Sequence, residues 1–176
     1  VVQDSLTVVL LDKDGLIGEL PPPSERSYLP ERPTRKRYDD CCNEFWWLNP
    51  YVAKALLRDQ LPYAKHMLDV VMREQLMKML IWYAGSRTRF ESAMGKYGSR
   101  LRYYLDPASW KALQRTYVGC RASSNWNALV EMESLFRSAA RRVGLEFGYD
   151  YPERDDGRVS AYIRRMRASR KIRRVE

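Results

Sequence analysis

The sequence predicts a mainly α-helical bundle preceded by a short β-hairpin. From about residue 38 onward, apolar side chains recur every three or four positions through several long segments. Pro, Gly and Asn cut those segments apart at short intervals. One β-rich run, Leu6-Thr7-Val8-Val9-Leu10-Leu11, stands alone near the start. The 176 residues suffice for one good core, and an apolar fraction of 45% with five tryptophans argues for a folded chain rather than a disordered one.

In chain order, Leu6 to Leu11 reads as a strand. Asp12-Lys13-Asp14-Gly15 is a turn with glycine where positive φ is easy, and Leu16-Ile17 is a short second strand. An isolated hairpin is only marginally stable, so residues 1–20 read as part of a sheet whose other strands lie outside this chain. Residues 21–37 open on Pro21-Pro22-Pro23, carry charge without period, and read as an extended connector. A helical domain is expected over residues 38–168, followed by a basic tail, 169–176. Asp39 or Asp40 starts its first helix through capping and the favourable dipole. Asn49-Pro50 either kinks that helix or restarts a second one. Cys41, Phe45, Leu48, Val52 and Leu56 share an arc and face the core. A second helix fits Pro62 to Tyr83, with Ala64, Leu68, Val71, Gln75, Met79 and Trp82 turned inward. Asp106-Pro107 caps and starts a third. Asn125 to Val143 is a fourth, ending near Gly144, and Asp155 to Arg170 a fifth. Four or five helices joined by short links make a bundle.

The formal charge of +9 resembles a nucleic-acid signature until it is located. Eight Arg or Lys residues against one acid lie from Arg158 to the end, so the excess sits in the tail, where a solvated helix end is the ordinary meaning. No specific nucleic-acid partner is expected. Cys41, Cys42 and Cys120 are an odd set, two of them adjacent, which is a poor disulfide framework. With one histidine and no CxxC, ligands for a metal are too few. Apolar runs are short and interrupted by charge, and no secretory signal is visible, so no membrane partner and a cytoplasmic location are expected.

The chemistry-bearing segment is Tyr38-Asp39-Asp40-Cys41-Cys42-Asn43-Glu44-Phe45-Trp46-Trp47, continued by Tyr51, Lys54 and Arg58. On a helix, Asp40, Glu44, Trp47, Tyr51, Lys54 and Arg58 fall within an arc of roughly 80°. One stripe thus runs from anionic through aromatic to cationic. Its acids suit a polycation, although N-terminal capping favours acids there too. Its bases suit a phosphate, although a solvated helix end with dipole compensation explains them equally. Asp39 points about 100° away from Asp40 and can cap instead. Trp46 and Trp47 cannot face the same way, so Trp47 joins the stripe and Trp46 packs. Tyr63 and Lys65 begin the second helix and can line a cleft. His66, alone, reads as an ordinary surface residue.

This segment, with Tyr51-Val52-Ala53-Lys54, Tyr63-Ala64-Lys65, Gln75 to Tyr83 and Gly95-Lys96, resembles the C-terminal part of the aminoglycoside 6-adenylyltransferase (streptomycin adenylyltransferase) family. The resemblance runs from about Leu10 to about Tyr151. It implies that the hairpin belongs to a truncated nucleotidyltransferase domain of polymerase β type. It also implies ATP and Mg²⁺ as cofactors and transfer of AMP to streptomycin. The family's metal carboxylates precede this chain, so no metal ligand is assigned, and the chain alone is expected to be inactive. Asp12-Lys13-Asp14 has the spacing of a metal pair but aligns with a late hairpin, where Asp before Gly is turn chemistry. The resemblance implies drug contacts by Asp39, Asp40, Glu44, Trp47 and Tyr51, and nucleotide contacts by Lys54 and Arg58. Glu44 and Asp40 are both candidates for the general base. The alternative is a non-catalytic helical module that binds a cationic ligand or a partner. The oligomeric state is not legible.

Overall fold

The computed structural model describes residues 4–18 and 20–173. After a 3₁₀ turn, Arg26–Tyr28, helix α1 covers Arg35–Leu57 and α2 Leu61–His66. A π-helical segment, Met67–Met72, leads directly into α3, Arg73–Arg87. The 3₁₀ turn Lys96–Gly98 precedes α4 (Leu101–Tyr104), α5 (Pro107–Arg115), α6 (Ala122–Phe147) and α7 (Glu153–Arg173).

Helix α1 is the hub of this bundle and packs against α2, the π segment, α3, α6 and α7. Its inward arc is the one the spacing predicts: Cys41, Phe45, Leu48, Val52 and Leu56 are all buried. Phe45 stacks on Phe136 of α6 with ring centroids 3.8 Å apart. Trp46 stands edge-on to both rings, at 5.2 and 6.2 Å, a favoured aromatic arrangement. The Tyr38 hydroxyl donates to the Ala140 carbonyl at 2.9 Å and pins the start of α1 to α6. Asp106 caps α5 as expected, accepting from the Ser109 amide at 2.9 Å, with Pro107 in the first turn.

Several expectations are corrected. Among the described residues no strand forms, so the β-hairpin is absent. Leu10, Leu11 and Leu16 are 94, 70 and 84% exposed, with no sheet to cover them and no third strand to lend ladder bonds. The Asp12 carboxylate instead accepts the amides of Leu16 and Ile17 at 3.1 and 2.9 Å, which is a local turn rather than a metal site. The first helix starts four residues before Asp39, capped by Thr34, whose hydroxyl accepts from the Arg37 amide at 3.3 Å. Asp39 and Asp40 therefore lie in the second turn, where the amides are already paired and nothing needs capping.

Pro50 neither ends α1 nor restarts it. In the turn that lacks its N–H, the buried Asn49 side chain donates to the Phe45 carbonyl at 2.9 Å. The second predicted helix is helical throughout but passes through the π segment. There Lys65 and Arg73 pair with Asp69 at 2.6 and 3.2 Å, and Lys65 also donates to the Val118 carbonyl. Gly144 does not end α6, which stops at Gly148 with φ +70°. Gly144 is needed for close approach instead: a Cβ there meets the Tyr149 carbonyl oxygen at 2.6 Å and the Tyr38 hydroxyl at 2.9 Å. The end of the predicted basic tail, residues 174–176, lies outside the described residues, and α7 runs helically to Arg173.

Candidate functional site

Because α1 buries most of its circumference, its remaining exposed arc forms a ridge. Asp40, Lys54 and Arg58 are exposed on it, Trp47 is 63% exposed, and Glu44 and Tyr51 are half-buried. Arg58 follows the last turn as its C-cap. The Trp47 and Tyr51 rings lie 6.3 Å apart, and the Lys54 ammonium sits 5.8 Å from the Tyr51 ring centre. The predicted order of acids, aromatics and bases is therefore laid out along one face.

The ridge does not gather its acids into one concavity. Asn43 divides two grooves. The first, about 720 Å³, lies between α1 and the start of α7, and Asp39, Trp46 and Trp47 face Asp150, Tyr151 and Asp155 across it. The second, about 430 Å³, lies between α1 and α3 and holds Asp40 and Glu44 with Arg37, Gln75 and Lys78. Asp39 and Asp40, neighbours in sequence, thus serve opposite sides. Each has a cation one turn earlier: Arg35 meets Asp39 at 2.9 Å and Lys36 meets Asp40 at 2.6 Å. Tyr51, Lys54 and Arg58 line neither groove. A further hollow, about 850 Å³, runs along the π segment and α3 past Val70, Ile81, Trp82 and Tyr117, and contains none of the predicted site residues.

Beneath the first groove lies a buried polar cluster that spacing did not reveal. The Arg137 guanidinium forks onto both oxygens of Asp156 and also donates to the Ser160 hydroxyl. Tyr151 donates to Asp156 at 2.8 Å, and Ser160 at 2.9 Å. Burial raises the Asp156 carboxyl, but Arg137, Tyr151 and Ser160 outweigh that and hold it below the ordinary value. Glu133 is 5% exposed, and its Oε1 has no partner. Burial pushes its carboxyl up to about 7, against the opposing pull of Arg137. The cluster ties α6 to α7 and places Tyr151 in the wall of the first groove.

Sequence reasoning missed Asp150, Asp155 and Arg158 as lining residues. Asp155 was visible only as a helix start, since its approach to Trp47 is created by packing across more than a hundred positions of sequence. Among the described residues no group of three or more His, Cys, Asp and Glu is placed to hold a metal ion. The described part of this chain does not fit a Mg²⁺ site, because Asp12 is committed to its turn.

A family model described as streptomycin adenylyltransferase matches residues 1–166. An aminoglycoside 6-adenylyltransferase of Bacillus subtilis (strain 168) is 36% identical over 154 residues, covering 88% of this chain and 54% of that protein. The enzyme of that name from Campylobacter jejuni is 34% identical over 165 residues, covering 93% and 57%. The crystal structure of an aminoglycoside 6-adenyltransferase from Bacillus subtilis matches with a TM-score of 0.71 at 32% identity, over 81% of this chain and 54% of that one. The chain spans about half the length of the curated relatives it matches. No helix among the described residues is long and apolar enough to cross a membrane.

Proposed function

The chain belongs to the streptomycin adenylyltransferase family, and from that premise we propose that it forms the C-terminal, helical part of an enzyme transferring AMP from ATP to a hydroxyl of streptomycin. The observation that carries this reading is Trp47: a large indole left 63% exposed on the same helix turns as three carboxylates. An aromatic face beside acids suits a ligand that is both a sugar and a polycation. Asp39, Asp40 and Glu44 receive the drug's cationic groups on the two sides of the Asn43 ridge, and Trp47 and Tyr51 stack against its rings. Lys54, with Arg58 beyond it, takes the phosphates of ATP as point charge and planar fork respectively.

Helix rise orders the candidates for the base that removes the hydroxyl proton. Glu44 stands about 15 Å along the axis from Lys54, and Asp40 about 21 Å. Glu44 is the closer to a phosphate held at Lys54, and so is the better placed of the two. Mg²⁺, when bound, neutralises the attacking and leaving oxygens, and the described residues of this chain do not form its site.

The test uses the intact protein containing this chain, with ATP, Mg²⁺ and streptomycin. Trp47→Ala should raise the drug KM by roughly tenfold, the worth of one aromatic contact of about 1.4 kcal/mol, and leave the ATP KM in place. Lys54→Met should raise the ATP KM by roughly tenfold or more, as loss of a charged hydrogen bond predicts. Absence of AMP transfer by the wild-type protein sinks the enzymatic reading. Streptomycin binding without transfer favours the non-catalytic module.

A further inference from the structure

We infer that Asp150 and Asp155, at the start of α7, form a second arm of the aminoglycoside site, a cation clamp facing Trp47 across the first groove. This rests on the proposed drug-binding role of the α1 ridge and adds residues from a different helix to it. The groove of about 720 Å³ has Asp39 and Trp47 on one wall and Asp150 and Asp155 on the other. Of the three acids in the first turn of α7, two are committed: Glu153 to Arg141 and Asp156 to Arg137. Among the described residues Asp155 has no ion-pair partner, and Asp150, 94% exposed in its side chain, has only a long contact to Arg35 at 3.4 Å. Two carboxylates therefore keep most of their charge available at the rim. A second sign of an unfilled site lies in the groove wall itself. Trp46 is 2% exposed, and its indole N–H is buried without an acceptor.

The wall that carries the clamp is rigid. Arg137, Asp156, Tyr151 and Ser160 lock the first turns of α7 onto α6, so the two acids are held at a set distance from Trp47 before any ligand arrives. A cationic sugar seated there places a ring face on Trp47 and a charged group between Asp39 and Asp155. A neutral sugar gains only the stacking. The site therefore selects by charge, and the attraction weakens as salt rises.

The bland alternative is that Asp155 complements the dipole of α7, which affects stability and not substrate. The intact protein distinguishes them. Asp150→Asn with Asp155→Asn should raise the streptomycin KM roughly tenfold to a hundredfold, with the ATP KM and Tm unchanged. Asp155→Glu in the Asp150→Asn background should recover part of it, and the wild-type preference should shrink in high salt. An unchanged streptomycin KM in an active enzyme overturns the clamp while leaving the proposed function standing. Where no transfer is detected, calorimetry with streptomycin on the same protein decides: tighter binding by wild type than by the double variant supports the clamp. Equal binding, or none, overturns it.

Discussion

Glu133→Gln tests whether the buried cluster under the first groove carries a proton near neutrality. Glu133 is almost fully buried, one of its oxygens lacks any partner, and Arg137 is already forked onto Asp156. Its carboxyl is pushed from an ordinary value of 4.5 up to about 7. The folded state therefore holds a proton that the unfolded state releases, and folding stability falls as pH rises from about 4.5 to about 7, then levels. Each pH unit across that window corresponds to about 1.4 kcal/mol, so the full loss is about 3 kcal/mol. Glutamine keeps the shape and cannot ionise. The variant should therefore gain on the wild type by about 3 kcal/mol between pH 4.5 and pH 8, whatever its offset at the acid end. Asp156 carries the opposite sign, with stability lost as pH falls through its depressed value, but it is present in both proteins and cancels in the difference. Urea unfolding of both at four pH values, followed by the fluorescence of the buried Trp46 and Trp126, measures this. A difference that stays constant to within about 0.5 kcal/mol across the range refutes an ionising, unpartnered Glu133.

Arg137→Met leaves the buried Asp156 carboxylate without its cation and should cost about 3–5 kcal/mol, read from the urea midpoint; a loss below about 1 kcal/mol contradicts the forked pair as a structural tie. Gly144→Ala brings a Cβ to 2.6 Å from a backbone carbonyl, so the gain in helix propensity of about 1 kcal/mol is outweighed by overpacking of up to about 3 kcal/mol. A lowered Tm is expected, and a raised one shows that the Tyr149 loop yields easily.

Where periodicity decides the outcome, the sequence was readable. The inward arc of α1, the Asp106-Pro107 start of α5 and the ridge order from Asp40 to Lys54 all follow from spacing and capping chemistry, and all three appear. Failures occurred where one signal had two physical meanings. Asp39 and Asp40 satisfied the rule for a cap, but Thr34 after Pro33 satisfied it earlier, and three bases in the first turn hid the start. Gly144 matched a helix stop, yet it serves close packing against Tyr38 and Tyr149, which lie on elements distant or beyond in the chain. The Leu6–Leu11 run has strand propensity, but propensity becomes structure only with a neighbour to pair with. The opposing wall of the first groove was illegible for the same reason: Asp155 meets Trp47 only through the docking of α7.

The pairing of Asp39 with Arg35 and of Asp40 with Lys36 seems at first to argue against a cation site, since each carboxylate is already partnered. The magnitudes point the other way. Exposed pairs one helical turn apart are worth about 0.3–0.5 kcal/mol, whereas a charge-assisted hydrogen bond to a seated ligand is worth about 1.5–3 kcal/mol. A polycation displaces such partners at small cost, and Arg35 and Lys36 are free to swing to solvent because both are exposed. Until then the pairs hold the carboxylates outward and lower the net charge of a ridge that would otherwise attract any passing cation. The buried Arg137–Asp156 pair has the opposite character: it is forked, enclosed, and costly to break. One bundle thus uses ion pairs in two ways, exchangeable on α1 where a ligand must enter, and fixed beneath α7 where the wall facing that ligand must not move.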